Sequence, residues 1–387
     1  MKKLAAFAAV LLACGALTLT AIASVDGPRS LRAFYFGNSL TGCTNPRWHD
    51  ELGESAGKQW EAEAFLGAGW QLWQHRLQLG SPEDVFSTGP KGALTIDPEF
   101  LQSASYKARR FYEGGPWDAI VLQPFGQALE RTVTQMWGKI DFEEPTDVGD
   151  ISAASDIIEL YLKTNPQGRV YIYADWPPME RGEVPPEDEL PEWALRMRER
   201  RGSIRRAEFP DRTAFDYERE WLGKKFSPDH PDRPWLDNSR CRDYHYRLFE
   251  ALKDRFPGLW RQGRLRMIPT GDIFMALERK MRAGQVPGIE TIEDFYTDVQ
   301  HIRAGLPRYT AAAAFYAVMF AEHPGALDWQ LYTDPAAYGE DPHHDEGELL
   351  EITPERARIV NDTIWKVVVG HPHTRLESAK ETSPATD

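Results

Sequence analysis

Leu31-Arg32-Ala33-Phe34-Tyr35-Phe36 runs into Gly37-Asn38-Ser39-Leu40-Thr41, and the reading of this stretch decides the fold. Of the first six residues all but Arg32 are apolar or aromatic, and the run is of strand length. A glycine closes the run, as turn residues close buried strands. Four similar runs follow at Trp60–Phe65, Trp117–Leu122, Arg169–Ala174 and Arg264–Ile268. Helical patterns separate them. Ile151–Lys163 sets Ile151, Ala154, Ile158 and Leu162 along one face, and Asp243–Phe256 does the same with Tyr246, Phe249, Leu252 and Phe256. Asp272–Arg282 follows the fifth run directly. Strands alternating with helices predict an α/β fold, a doubly wound parallel five-stranded sheet with helices on both faces in three α/β/α layers.

The last third reads as helix. Pro307–Phe320 carries Ala311 to Ala314, which allow close approach of a neighbour, and Pro354–Val369 starts with Thr353 as N-cap and Pro354 at the first helical position. Between Pro177 and Asn238 the chain is rich in Pro, Arg, Glu and Trp and has no strand-like run, so we expect a helical and loop insertion at about 177–238 on the sheet rim. It suits a cleft wall or a surface cover equally. No internal repeat is visible. The expected organisation is one domain over 25–370, with a polar, pattern-free tail at 371–387 expected to be disordered.

Of the 387 residues, 42% are hydrophobic and 27% charged, enough for a sizeable core. The formal charge is −14, and residues 1–24 contribute two lysines and no acid. So acidic a chain has no electrostatic reason to seek nucleic acid or an anionic membrane. The basic stretch Arg196–Arg206 is interrupted by Glu199 and followed by Glu208, and reads as a solvated helix face. Lys2 and Lys3, the uncharged run Leu4–Ile22 and the small residues of Ala21-Ile22-Ala23-Ser24 have the layout of a signal peptide over 1–24, predicting a secreted or periplasmic protein with no membrane insertion after cleavage. A retained anchor and a lipoprotein attached through Cys14 are the competing readings. Cys43 and Cys241 then remain, as a disulfide or as two buried thiols.

In an open parallel sheet, ligands gather beyond the carboxyl ends of the strands. Ser39 lies there, near a helix N-terminus where the dipole favours developing negative charge. Gly67-Ala68-Gly69 follows the second run, and Gln123, with Gln127 close behind, follows the third. Trp70, Trp73 and Trp176 also follow strand ends and are candidates for contact with substrate. Tyr296-Thr297-Asp298-Val299-Gln300-His301 precedes the alanine-rich helix. A serine hydroxyl needs a base, an imidazole suits the task, and a carboxylate three residues before it can orient the ring.

Gly37-Asn38-Ser39-Leu40, Gly67 with Gly69, and Asp298-x-x-His301 in that order resemble the SGNH, or GDSL-like, hydrolase superfamily over roughly residues 31–323. Gly305 and Tyr309 after the histidine, and Ile268-Pro269-Thr270-Gly271-Asp272 before it, add to the likeness. The resemblance implies a flavodoxin-like sheet and a serine esterase with Ser39 as nucleophile and His301 with Asp298 as base. It implies an oxyanion hole built from Ser39, Gly67, Gly69 and Gln123, with Asn38 against the substrate, and no cofactor or metal. Asn38 stands where the best-known pattern has Asp, and no Gly-x-Asn follows the third run, so Gln123 or Gln127 must supply the amide donor; Gln123, adjoining the strand end, is preferred. The implied substrate is a small-molecule or glycan ester, with acetyl groups on carbohydrate leading and lipid or aryl esters next. Two other classes compete: a non-catalytic carbohydrate-binding protein on the same fold, and a metal-binding protein using His343, His344 and Asp345 with His371 and His373, against which stands the divergent aim of adjacent histidines.

Overall fold

Five parallel strands form the expected sheet: β1 Ser30–Gly37, β2 Gln59–Leu66, β3 Ala119–Leu122, β4 Arg169–Ala174 and β5 Leu265–Pro269, in the order β2-β1-β3-β4-β5. The structure, a computed structural model, describes residues 27–67, 69–79, 110–125, 129, 149–180, 182–190, 194–195, 198–199, 209–226, 240–338 and 349–376. The helices among the described residues include α1 Ser39–Gly42, α2 His49–Ser55, α3 Leu72–Leu79, α4 Asp150–Thr164, α5 Arg242–Arg255, α6 Pro257–Arg261, α7 Thr270–Arg282, α8 Leu306–Phe320 and α9 Pro354–Gly370. Thr353 caps α9 as expected, accepting the Arg356 N–H at 3.2 Å.

Strand parity sorts the core into two halves. Leu31, Ala33 and Tyr35 of β1 join Val121, Tyr173 and Ile268 under α2, α7, α8 and α9. Phe34 and Phe36 join Ile120, Ile172 and Met267 under α3, α4, α5 and α6. Burial on both faces explains why the central strands read as unbroken apolar runs. All residues of α8 are buried, as its alanine run allows. Phe315 on that helix meets Tyr173 edge-on and Tyr35 and His49 at a tilt, and truncating it to Ala costs about 3–5 kcal/mol.

The two sheet edges are protected differently. Along β2, Glu61 pairs with Arg32 at 2.6 Å and Glu63 with Arg110, so charge guards that edge. At β5 the Met267 N–H donates to the His373 carbonyl at 2.9 Å. Residues 371–376, expected to be disordered, therefore cover the edge, with His373 and Leu376 buried. This part of the tail is ordered because it satisfies an open strand. Residues 377–387 lie outside the described residues.

The insertion also reaches the core. Phe215, Tyr217 and Trp221 pack in the α7 half, Tyr217 Oη donating to the Gly271 carbonyl at 3.0 Å and Trp221 Nε1 to Asp272 at 3.1 Å. Cys43 and Cys241 form no disulfide, since they belong to the core halves on opposite faces of the sheet. No helix among the described residues is long and apolar enough to cross a membrane, and residues 1–26 lie outside them.

Candidate active site

The strand order reverses between β1 and β3, the switch point where a doubly wound sheet opens a crevice at its carboxyl end. Both strands end there in polar residues. Ser39 is the first residue of α1, which directly follows β1. Asn38 shapes the turn, its Oδ1 accepting the Leu40 N–H at 3.0 Å while its Nδ2 donates to the Trp70 carbonyl at 3.1 Å. Gly37 has no alternative, because a Cβ there would lie 2.1 Å from Thr41 Oγ1 and 2.9 Å from Gln123 Oε1.

From the other side of the crevice comes the segment between α7 and α8. An antiparallel bridge between Tyr296 and Ile302 closes it, with the Thr297 N–H donating to the His301 carbonyl at 2.9 Å. Inside, Asp298 Oδ1 accepts the backbone N–H groups of Gln300 and His301, both at 2.7 Å. Its Oδ2 accepts from His301 Nδ1 at 2.6 Å, and His301 Nε2 lies 2.8 Å from Ser39 Oγ. With the proton on His301 Nδ1 directed at Asp298, Nε2 is the acceptor and the Ser39 hydroxyl donates. Asp298 is 4% exposed and His301 6%, while Ser39 is more open. Burial alone would raise the Asp298 carboxyl. The His301 charge, the ring hydrogen bond and the two backbone N–H groups outweigh it and hold Asp298 well below the usual carboxylate range. The structure thus brings hydroxyl, imidazole and carboxylate, 262 residues apart in sequence at their widest step, into one hydrogen-bonded line. Such a line can deprotonate the hydroxyl as it attacks a carbonyl.

Several expected site residues do other work. Gln123 is fully buried beneath the turn, not in the crevice. Its Oε1 accepts from Asn38 N–H (3.0 Å), Thr41 N–H (3.2 Å) and Thr41 Oγ1 (2.7 Å), which turns its Nε2 inward toward Asp175 Oδ2 at 3.3 Å. Gly67 spends its N–H on the Gly37 carbonyl at 3.1 Å and so cannot donate to a substrate. Gly69, at φ +68°, and Ser39 keep backbone N–H groups that no hydrogen bond uses among the described residues. Asn38 is also fully buried, with both polar ends occupied, so it does not touch substrate.

The three tryptophans are core residues. Trp70 and Trp73 are each 5% exposed and pack with Phe65 and Leu72. Trp176 is fully buried, stacks on Phe274 at 5.3 Å and donates from Nε1 to the Gln300 carbonyl at 2.7 Å, supporting the histidine segment from below. Aromatic residues after strand ends fill the core here because both faces are helix-covered. Gln127, His343, His344 and Asp345 lie outside the described residues. Among the described residues no group of three or more His, Cys, Asp or Glu side chains is arranged to hold a metal ion. His371 faces Asp272 at 3.3 Å and Tyr246 Oη at 2.8 Å, and His373 faces Glu250 at 2.8 Å.

Two buried acids escape the sequence reading. Asp175, at the carboxyl end of β4, places Oδ1 3.1 Å from His245 Nε2 on α5, and both side chains are fully buried. A charged residue closing an apolar strand is the signal that points to Asp175; nothing in the sequence marks His245. Asp150 opens α4 beneath the Tyr244 hydroxyl, which donates to it. Burial pushes its carboxyl up to about 7, against the opposing hydrogen bond from Tyr244.

No protein-family model matches the chain, and no curated protein matches it. Among solved structures, a DUF4886 family protein from Bacteroides uniformis is similar at 11% identity and a TM-score of 0.43, over 88% of this chain and 95% of that one. A proposed platelet activating factor from Streptococcus pneumonia is similar at 12% identity and a TM-score of 0.34, over 81% of this chain and 99% of that one. These likenesses assign no chemistry.

Proposed function

We propose that this protein is a serine ester hydrolase of the SGNH type, with Ser39 as nucleophile and His301 and Asp298 as its base. The observation that carries the reading is the unbroken Ser39–His301–Asp298 hydrogen-bonded line at the switch point of the sheet. In the reaction, Ser39 Oγ attacks the ester carbonyl while His301 Nε2 takes its proton. Ionised Asp298 stabilises the imidazolium. The tetrahedral oxyanion meets the backbone N–H groups of Ser39 and Gly69, and losing one such donor costs about 10²–10³ in rate. His301 then protonates the leaving alkoxide, and the acyl-serine is hydrolysed by water with His301 again as base.

The substrate class we propose is acetyl or other small acyl groups on carbohydrate, supported by the export signal read in residues 1–24 rather than by aromatic platforms. Acetylated sugars and p-nitrophenyl esters of increasing acyl length, assayed with wild type and Ser39→Ala, test both levels. Turnover of short-chain esters lost in Ser39→Ala supports the esterase reading, and preference for sugar acetates supports the substrate. Equal turnover by the two proteins, or none by wild type across the panel, contradicts the esterase.

A further inference from the structure

A four-residue helix makes too few hydrogen bonds of its own to hold a nucleophile in one pose. The Ser39 turn is instead gripped from beneath by one atom. Gln123 Oε1 takes three donors, and two of them are the backbone N–H groups of Asn38 and Thr41 on either side of Ser39. Three donors on one atom settle the amide orientation, since an NH₂ group could accept none of them. The Gln123 Nε2 must then face Asp175, whose other oxygen lies 3.1 Å from His245 Nε2 without hydrogen-bond geometry. All three side chains are fully buried and come from β3, the end of β4 and α5.

We infer that Gln123, oriented by Asp175 and His245, is a positioning residue that sets the pose of Ser39. The inference rests on the serine-hydrolase reading and assigns a role to a buried network that the triad does not use. Holding Ser39 to a fraction of an ångström matters because a 1 Å displacement costs about 10²-fold in rate. Tyr173, Tyr217 and Tyr296 lie near Asp175, and burial holds all three phenols well above their ordinary value.

Three variants, assayed with p-nitrophenyl acetate alongside thermal melts, test this. Gln123→Met removes both the acceptor and the donor and should lower kcat about 10²-fold with KM within about threefold. Gln123→Glu keeps the acceptor but sets a second carboxyl against Asp175, so the pair holds one shared proton and loses it as pH rises. Its kcat should fall about tenfold or more, relative to wild type at the same pH, as pH rises. Adding Asp175→Asn, whose amide can donate to Glu, should abolish that alkaline loss, a coupling that independent sites do not show. A folded Gln123→Met with kcat within about threefold of wild type overturns the inference, as does a Gln123→Glu profile that superimposes on wild type. If Gln123→Met does not fold, Thr41→Val removes one donor: about a fivefold loss of kcat supports the inference, and unchanged kcat overturns it. A wild type without esterase activity removes the serine-hydrolase reading and this inference together. An active wild type with indifferent variants removes this inference alone.

Discussion

Asp298–His301 and Asp175–His245 are both carboxylate–imidazole pairs at the carboxyl end of the sheet, and they have opposite surroundings. Asp298 and His301 sit on a loop between helices, slightly open, with the far ring nitrogen 2.8 Å from a serine hydroxyl. Asp175 and His245 are joined from β4 and α5 at 3.1 Å and sealed from solvent. The same two functional groups are a base where a partially exposed hydroxyl waits, and a fixed strut where only an amide does. Access and the third partner decide the role, not the pairing itself.

The sharpest break of this comparison is to remove each imidazole in turn. His301→Ala should lower kcat on the order of 10⁴-fold or more, with the fold intact. His245→Gln should cost less than about tenfold in kcat but lower the melting temperature, because it disturbs a buried pair. Equal kinetic losses in the two would erase the distinction.

Removing the charge on the open pair comes next. Asp298→Asn should reduce kcat about 10³–10⁴-fold, since the amide favours the wrong imidazole tautomer. Because folding depresses the Asp298 pKa, its ionised form stabilises the protein above the unfolded carboxyl's value of about 4, and that contribution is lost as pH falls. Chemical denaturation of wild type and Asp298→Asn between pH 3 and 7 should therefore show a shallower acid dependence in the variant.

Asp150 offers the opposite sign. Its folded carboxyl is raised to about 7, so wild type should lose stability from about pH 4 up to about 7 and then level off. Asp150→Asn should remove that slope and be the more stable protein at pH 8, by on the order of 2–4 kcal/mol. An identical slope in the variant would place the titration elsewhere. The smallest effect is expected at Trp176→Phe, which keeps the ring packing and deletes only the bond to the Gln300 carbonyl. A loss of about 3–10-fold in kcat, measured beside an unchanged melting temperature, would show that this bond steadies the histidine segment.

The strands and the Ser39–His301–Asp298 hydrogen-bonded line are legible because their signals are local. Apolar runs closed by Gly, Pro or Asp mark strand ends, and an aspartate three residues before a histidine can reach it within one turn. Gln123 was found at the right place but in the wrong role, because its direction depends on three donors contributed by the β1 turn. Trp70, Trp73 and Trp176 were misread for a related reason: an aromatic after a strand end can face a cleft or a core, and only the covering helices decide. Asp175 and His245 are 70 residues apart and meet solely through the packing of α5 on β4, which no spacing encodes. The cover of β5 by residues 371–376 is likewise a tertiary event on a segment without pattern.

The most direct test is to label the full-length protein with a fluorophosphonate and map the adduct by peptide mass spectrometry. A single adduct on Ser39 in wild type, strongly slowed in His301→Ala, is the result this account requires. A wild type that stays unlabelled, or carries its adduct on another residue, would contradict it.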